Sequence, residues 1–152
     1  MATKVETNVL ECPECGRRNR VPTTANGAPQ CGNCHAPLPW ITDADDDAFA
    51  RAVEQSHIPV VVDLWATWCR PCGSISSALE QIARDLAGRI KLVKVDVDKS
   101  PRTAERFNVR AVPTLLVMKG SEVVATRAGA APVATLRAWL DAALERASFL
   151  ST

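Results

Sequence analysis

The apolar positions of the chain fall into a few runs with clear periods. Pro59-Val60-Val61-Val62-Asp63-Leu64-Trp65-Ala66 is apolar at nearly every position, the pattern of a strand covered on both faces. Ser74 to Leu86 places Ile75, Leu79, Ile82 and Leu86 on one helical stripe, and Gly88 suits the turn that closes the helix. Ile90 to Val97 predicts a second strand, parallel to the first, and Pro101 to Phe107 a short helix. Leu115-Leu116-Val117-Met118 and Val123-Val124-Ala125-Thr126 flank Lys119-Gly120-Ser121-Glu122 and read as a hairpin. Val133 to Ala147 is an amphipathic helix with Leu136, Leu140 and Leu144 inward and Trp139 alongside. The order β-α-β-α-β-β-α predicts an α/β fold, a mixed central sheet flanked by helices.

Upstream the pattern fades. Arg17 to Gln30 is too polar to form a core alone. Two prolines in Ala36-Pro37-Leu38-Pro39-Trp40 stop regular structure and make a semi-rigid connector. The chain therefore divides into a small unit over 1–40 and a main domain over 41–152. Asp43 through Gln55 has a helical pattern with acids on its first turn, which complement the macrodipole, and with Phe49 and Val53 toward the core. His57, in the exit loop, reads as a surface residue.

Composition narrows the function classes. Of 152 residues, 47% are apolar and 23% charged, with a net charge of +1, so no single-sign field argues for nucleic acid or a membrane surface. No run approaches the ~20 apolar residues of a membrane span. The opening Met1 to Val9 lacks the apolar core of a signal peptide, so the expected compartment is the reducing cytoplasm. Cysteines there serve as metal ligands or catalytic thiols more often than as staples.

All six cysteines lie in Cys-x-x-Cys pairs. Cys12/Cys15 and Cys31/Cys34 form C-x2-C-x15-C-x2-C, a zinc-site spacing. Gly16 and Gly32 allow the backbone to fold back so that N–H groups face the sulfurs. Four thiolates suit one tetrahedral Zn2+, which would hold a unit too small to hold itself. Two disulfides, a four-thiolate iron site, and haem attachment at Cys31-Gly32-Asn33-Cys34-His35 are the competing readings. His35 replaces one thiolate only in a variant of the zinc reading; otherwise it is a surface residue.

The third pair, Cys69 and Cys72, follows the buried strand and opens the first long helix. The unpaired N–H groups and positive dipole end of a helix N-terminus favour a thiolate there, as reversible dithiol–disulfide chemistry requires. Asp63 is anomalous in its apolar strand: a buried carboxylate is costly unless its pKa rises or a cation pairs with it. Its place at the strand's C-terminal end makes it a candidate proton acceptor for Cys72, with Lys94 as a candidate nearby cation.

Trp65-Ala66-x-Trp68-Cys69-x-Pro71-Cys72, with Asp63 ahead and Val112-Pro113-Thr114 behind, resembles the thioredoxin family over about residues 41–148. With the four-cysteine zinc ribbon in front, the chain is similar to the zinc-containing second thioredoxin of bacteria, a cytosolic type. The resemblance implies Cys69 as attacking thiolate and Cys72 as resolving thiol. It implies a cis-Pro113, Asp63 as buried acid and Lys94 as its partner. Trp68, Val112, Pro113 and Gly129 would meet the substrate, and Trp68, Arg70 and Pro71 would support the dithiol. The activity implied is reduction of protein disulfides, with the dithiol restored by thioredoxin reductase, an NADPH-dependent flavoenzyme. The alternative is a redox-responsive zinc module using the main domain as a partner-binding scaffold. Arg70 and Gly73 stand where the family usually has glycine and lysine, and Ser77 where it often has proline. A cation beside Cys69 should stabilise its thiolate and make the disulfide more oxidising.

Overall fold

The computed structural model describes residues 7–25 and 27–149. Most of the opening segment read for a signal peptide, residues 1–6, lies outside them. Five strands form the main sheet in the order β3-β5-β4-β6-β7: Trp40–Asp43, Lys91–Asp96, Val60–Trp65, Thr114–Lys119 and Glu122–Ala128. β3, β5 and β4 are parallel, and β6 and β7 complete the sheet antiparallel. Three helices accompany it: α1 (Cys72–Asp85), α2 (Pro101–Arg106) and α3 (Val133–Ser148). This is the mixed, helix-flanked sheet expected, with one strand more than the pattern predicts.

The extra strand and the missing helix share one cause. Asp43, expected at a helix start, ends β3, and only a single π-type turn forms, at Ala50–Glu54. The acids of this stretch accept hydrogen bonds at two different turns. Asp45 Oδ1 accepts from the Ala48 N–H at 2.9 Å. Asp46 accepts from the N–H groups of Arg102 and Thr103 and from the Thr103 hydroxyl, and so caps α2. Phe49 and Val53 do face the core.

β4 is the sheet's centre and its two faces carry two cores. Val61 meets Ile75, Leu79 and Ile82 of α1 and Leu136 and Leu140 of α3. Val60, Val62 and Leu64 meet Phe49, Ala52 and Val53 on the opposite side. Pleating therefore puts Asp63 on the α1 face, in register with Lys94 of β5, itself in register with Asp43 of β3.

The N-terminal unit is a hairpin, β1 (Thr7–Glu11) and β2 (Arg18–Pro22), that alternation alone does not announce. Leu10, Val21, Cys12, Cys31 and Leu38 pack with Trp40, so β3's first residue belongs to the hairpin's core as well as the sheet. The Thr23 and Thr42 hydroxyls are 2.9 Å apart, and the Asn8 amide also donates to Thr42. Gly88 closes α1 at φ +85°, and a Cβ there would stand 3.0 Å from Pro37.

Lys91, the first residue of β5, is fully buried at this contact. Its Nζ donates to the Thr23 carbonyl at 2.6 Å and the Ala52 carbonyl at 2.7 Å, and stands 4.1 Å from the centre of the Trp40 ring. Burial pulls the ammonium down to about 8, and the two carbonyls and the indole face supply what water would. One cation thus joins the hairpin unit to the sheet and to the π-type turn. Lys91→Ala leaves two buried carbonyls without this donor and a hole beside Trp40. The expected cost is ~2–4 kcal/mol in urea denaturation.

Candidate functional site

β4 ends at Trp65, and the chain turns through residues 66–71 into α1, with the Cys69 N–H donating to the Ala66 carbonyl at 3.2 Å. Pro71 precedes the first helical residue at φ −72°, a conformation that proline favours. Cys69 and Cys72 are joined as a disulfide, their Cα atoms 5.5 Å apart. The two sulfurs are unequal in exposure: Cys69 is half-buried, Cys72 only 2% exposed.

The loop before β6 forms the facing rim. The Val112–Pro113 peptide is cis, and Cys69 Sγ lies 3.6 Å from the Val112 carbonyl oxygen. The Pro113 carbonyl accepts the Gly129 N–H at 2.9 Å, and Gly129 has φ +89°, a conformation glycine tolerates. This bond ties the bend after β7 to the proline loop. Trp68 is 68% exposed, its indole N–H bonded to Asp98 Oδ2 at 2.9 Å. Arg70 projects into solvent beside the disulfide.

Asp63, on β4, is fully buried. Its Oδ2 accepts from the Ser76 hydroxyl at 2.7 Å, and its Oδ1 has no partner among the described residues. Lys94 approaches along the sheet register, while its own ion pair, at 3.5 Å, is with Glu80. Desolvation raises the Asp63 carboxyl to about 6; the Ser76 hydrogen bond and the Lys94 charge act against that rise. A cavity of about 330 Å³ beside the disulfide is lined by Trp65, Cys69, Cys72, Ser76 and Lys94, so the residue bonded to Asp63 borders the same space as both cysteines. Ser76 does not stand out in the chain, because a serine on a helix between apolar positions looks solvent-facing. The available signal is the buried acid, whose carboxylate form is favoured by a nearby donor.

The other four cysteines converge elsewhere. Their sulfurs all lie within 4.8 Å of one another, with Cys12···Cys34 and Cys15···Cys31 at 3.5 Å. The two turns share one hydrogen-bond pattern. Gly16 N–H donates to Cys12 O and His35 N–H to Cys31 O, while Cys12 N–H donates to Arg17 O and Cys31 N–H to Ala36 O. Gly16 and His35 take the same left-handed conformation, φ 79° and 65°. In the second turn it is thus His35, not Gly32, that folds the chain back, and the exposed His35 serves through its backbone.

Asn33 N–H reaches Cys31 Sγ, and the Asn33 amide reaches Cys15 Sγ. Backbone N–H groups of Cys34 and Asn33 help pull the Cys31 thiol down to about 6. The Ala36 N–H lowers Cys34, but the neighbouring Cys12, burial, and Cys15 and Cys31 outweigh it and push it to about 12. Four thiols so close cannot all ionise without a cation among them. A tetrahedral ion at ~2.3 Å from each sulfur needs S···S separations of ~3.8 Å, so the cluster fits a metal ion.

A disulfide-forming pair at a helix N-terminus, one sulfur accessible and the other covered, facing a proline loop, is the arrangement of a thiol–disulfide oxidoreductase. The thioredoxin family model matches residues 40–142. Thioredoxin C-3 of Corynebacterium nephridii is 35% identical over 142 residues, covering 91% of this chain and 97% of that protein. Thioredoxin C-2 of the same organism is 44% identical over 101 residues, covering 66% of this chain and 94% of its own. The thioredoxin of Haemophilus influenzae is 43% identical over 101 residues, covering 66% and 92%. The chain belongs to the thioredoxin family. The similarity to C-3 reaches well into the N-terminal third, whereas a match over 66% of the chain leaves room for little beyond the sheet and its helices. No helix among the described residues is long and apolar enough to cross a membrane.

A buried acid with a raised pKa links stability to pH. Its neutral form is favoured in the fold, so this stabilisation is complete below the unfolded value of ~3.9 and is lost as pH rises through about 6. Asp63→Asn removes the loss. It is expected to raise stability by ~2–3 kcal/mol at pH 8 and by much less at pH 4, read as urea midpoints at the two pH values.

Proposed function

We propose that this protein reduces disulfides of other proteins in the cytoplasm by dithiol–disulfide exchange, and that thioredoxin reductase returns it to the dithiol with electrons from NADPH. The observation carrying the reading is the unequal exposure of the Cys69–Cys72 pair at the start of α1. Cys69, the accessible sulfur, is the nucleophile. Its thiolate attacks one sulfur of the substrate disulfide, the other substrate sulfur leaves with the bonding pair, and a mixed disulfide forms. Cys72 gives its proton to Asp63 and attacks Cys69 Sγ. The Cys69–Cys72 bond forms as the Cys69–substrate bond breaks, and the substrate thiolate is released. Two electrons have then passed to the substrate.

The surrounding residues have supporting parts. The Val112 backbone pairs with an extended substrate segment; Trp68, Pro113 and Gly129 border it. Pro71 shapes the turn into α1 and Arg70 favours the Cys69 thiolate. Lys94, shared with Glu80, moderates the Asp63 charge. Cys12, Cys15, Cys31 and Cys34 hold one structural Zn2+, with the Asn33 N–H groups facing the thiolates as outer-shell donors.

With NADPH and a thioredoxin reductase, the wild type is expected to reduce insulin disulfides and Cys69→Ser to show no turnover. An inactive wild type, or an active Cys69→Ser, refutes the proposal. Metal analysis of freshly reduced protein is expected to find one zinc per chain, four protected thiols and two reactive ones. Six reactive thiols and no metal would remove the zinc assignment.

A further inference from the structure

We propose that Ser76 is a positioning residue for the dithiol exchange: its hydroxyl, donated from α1, fixes the Asp63 carboxylate so that one chosen oxygen is free to take the Cys72 proton. The inference rests on the exchange reaction proposed above and adds to it a residue outside the cysteine motif.

The geometry is specific. Ser76 lies four residues after Cys72 on α1, so both side chains share one face of the helix. A serine inside a helix ordinarily returns its hydroxyl to the carbonyl four residues back, here that of Cys72. Ser76 instead donates outward to Asp63 Oδ2 at 2.7 Å. It is the one direct hydrogen bond that the Asp63 side chain makes among the described residues, and it occupies Oδ2 alone. Oδ1 is left as the basic oxygen. Ser76 and Cys72 both line the same cavity of about 330 Å³.

The competing groups do not supply this anchor. Lys94 is spent on Glu80 at 3.5 Å and reaches Asp63 only through its field. Glu80 on α1 and Asp43 on β3 repel the carboxylate. β6 sets Leu115 in register with Asp63, and it has nothing to titrate. A donor to the charged form also offsets part of the desolvation, keeping the carboxyl ionised further down the pH range. Without the hydroxyl, Asp63 is left with Lys94's field alone. Asp63 would then be protonated through more of the working range and both oxygens would be free to rotate.

In the step concerned, the Cys72 proton passes to Asp63 Oδ1, and the Cys72 thiolate forms its bond to Cys69 Sγ as the Cys69–substrate bond breaks. The departing substrate sulfur carries away the electron pair and is protonated in turn, returning Asp63 to the carboxylate. Ser76 donates to Oδ2 throughout and is itself unchanged.

The test uses the full-length chain with Ser76→Ala and Ser76→Thr. Alanine suits a helix interior, and threonine restores the hydroxyl. In the oxidised protein, where neither Cys69 nor Cys72 titrates, the Asp63 carboxyl carbon is followed by NMR against pH. The Ala variant is expected to titrate about one pH unit higher than wild type, and the Thr variant to return toward it. In single-turnover reduction of a protein disulfide, the acid limb of the resolving step should move by the same amount. That corresponds to a slowing of about tenfold on the acid side and none at high pH. An Ala variant that titrates at the wild-type midpoint, or whose acid limb stays in place, overturns the proposal. The NMR arm needs no substrate, so a protein that turned over no disulfide would refute the exchange reaction while leaving the Ser76–Asp63 coupling to be judged by its own result.

Discussion

β4 is covered on both faces, so whatever it carries is held in a fixed orientation by packing. Its valines and leucine each contribute roughly 1.5–3 kcal/mol on burial, enough in sum to tolerate one buried carboxyl within the strand. That carboxyl sets conditions on its neighbours. The helix above it must bring a hydroxyl, and the strand beside it a cation. The dithiol sits at the junction where β4 gives way to α1, one sulfur covered and one accessible, on the helix whose Ser76 is bonded to the buried acid. The proline loop completes the site from β6, the next strand of the sheet, with Gly129 bonded to it from β7.

The parts of this arrangement legible in the chain are those with one dominant period. β4, α1, β5, β6, β7 and α3 announce themselves through continuous apolar runs or a helical stripe, and the structure has them within a residue or two of the expected bounds. β3 does not, because it has four residues, begins just after two prolines and ends in an acid run that mimics a helix start. The hairpin of β1 and β2 is hidden for another reason. Most of its side chains face water, and its small core borrows Trp40 and Leu38 from the connector.

At the site, the cysteines, Asp63 and Pro113 were visible because their chemistry is out of place or their spacing is specific. Ser76 and Lys91 were not. A serine on a helix and a lysine at a strand start fit their local surroundings in the one-dimensional chain, and only the fold reveals that both meet buried partners. His35 is a third instance. A histidine beside a cysteine invites a ligand or haem reading, yet it occupies the backbone position that Gly16 holds in the matching turn.

Lys91 bears on a problem that concerns the surface more than the site. β3 is an edge strand, and edges with free N–H and C=O groups invite pairing with other chains. In this protein the hairpin unit packs against the start of β3, and the residue buried at that contact is the one most used to discourage edge-to-edge association. If the unit comes away, the surface uncovered beside Trp40 presents an ammonium that water solvates well. A leucine in that place would leave the Thr23 and Ala52 carbonyls without this donor, and an apolar patch beside the edge strand whenever the contact opened. With the lysine, any opening of that contact exposes a charge in place of an apolar patch that would recruit a neighbour.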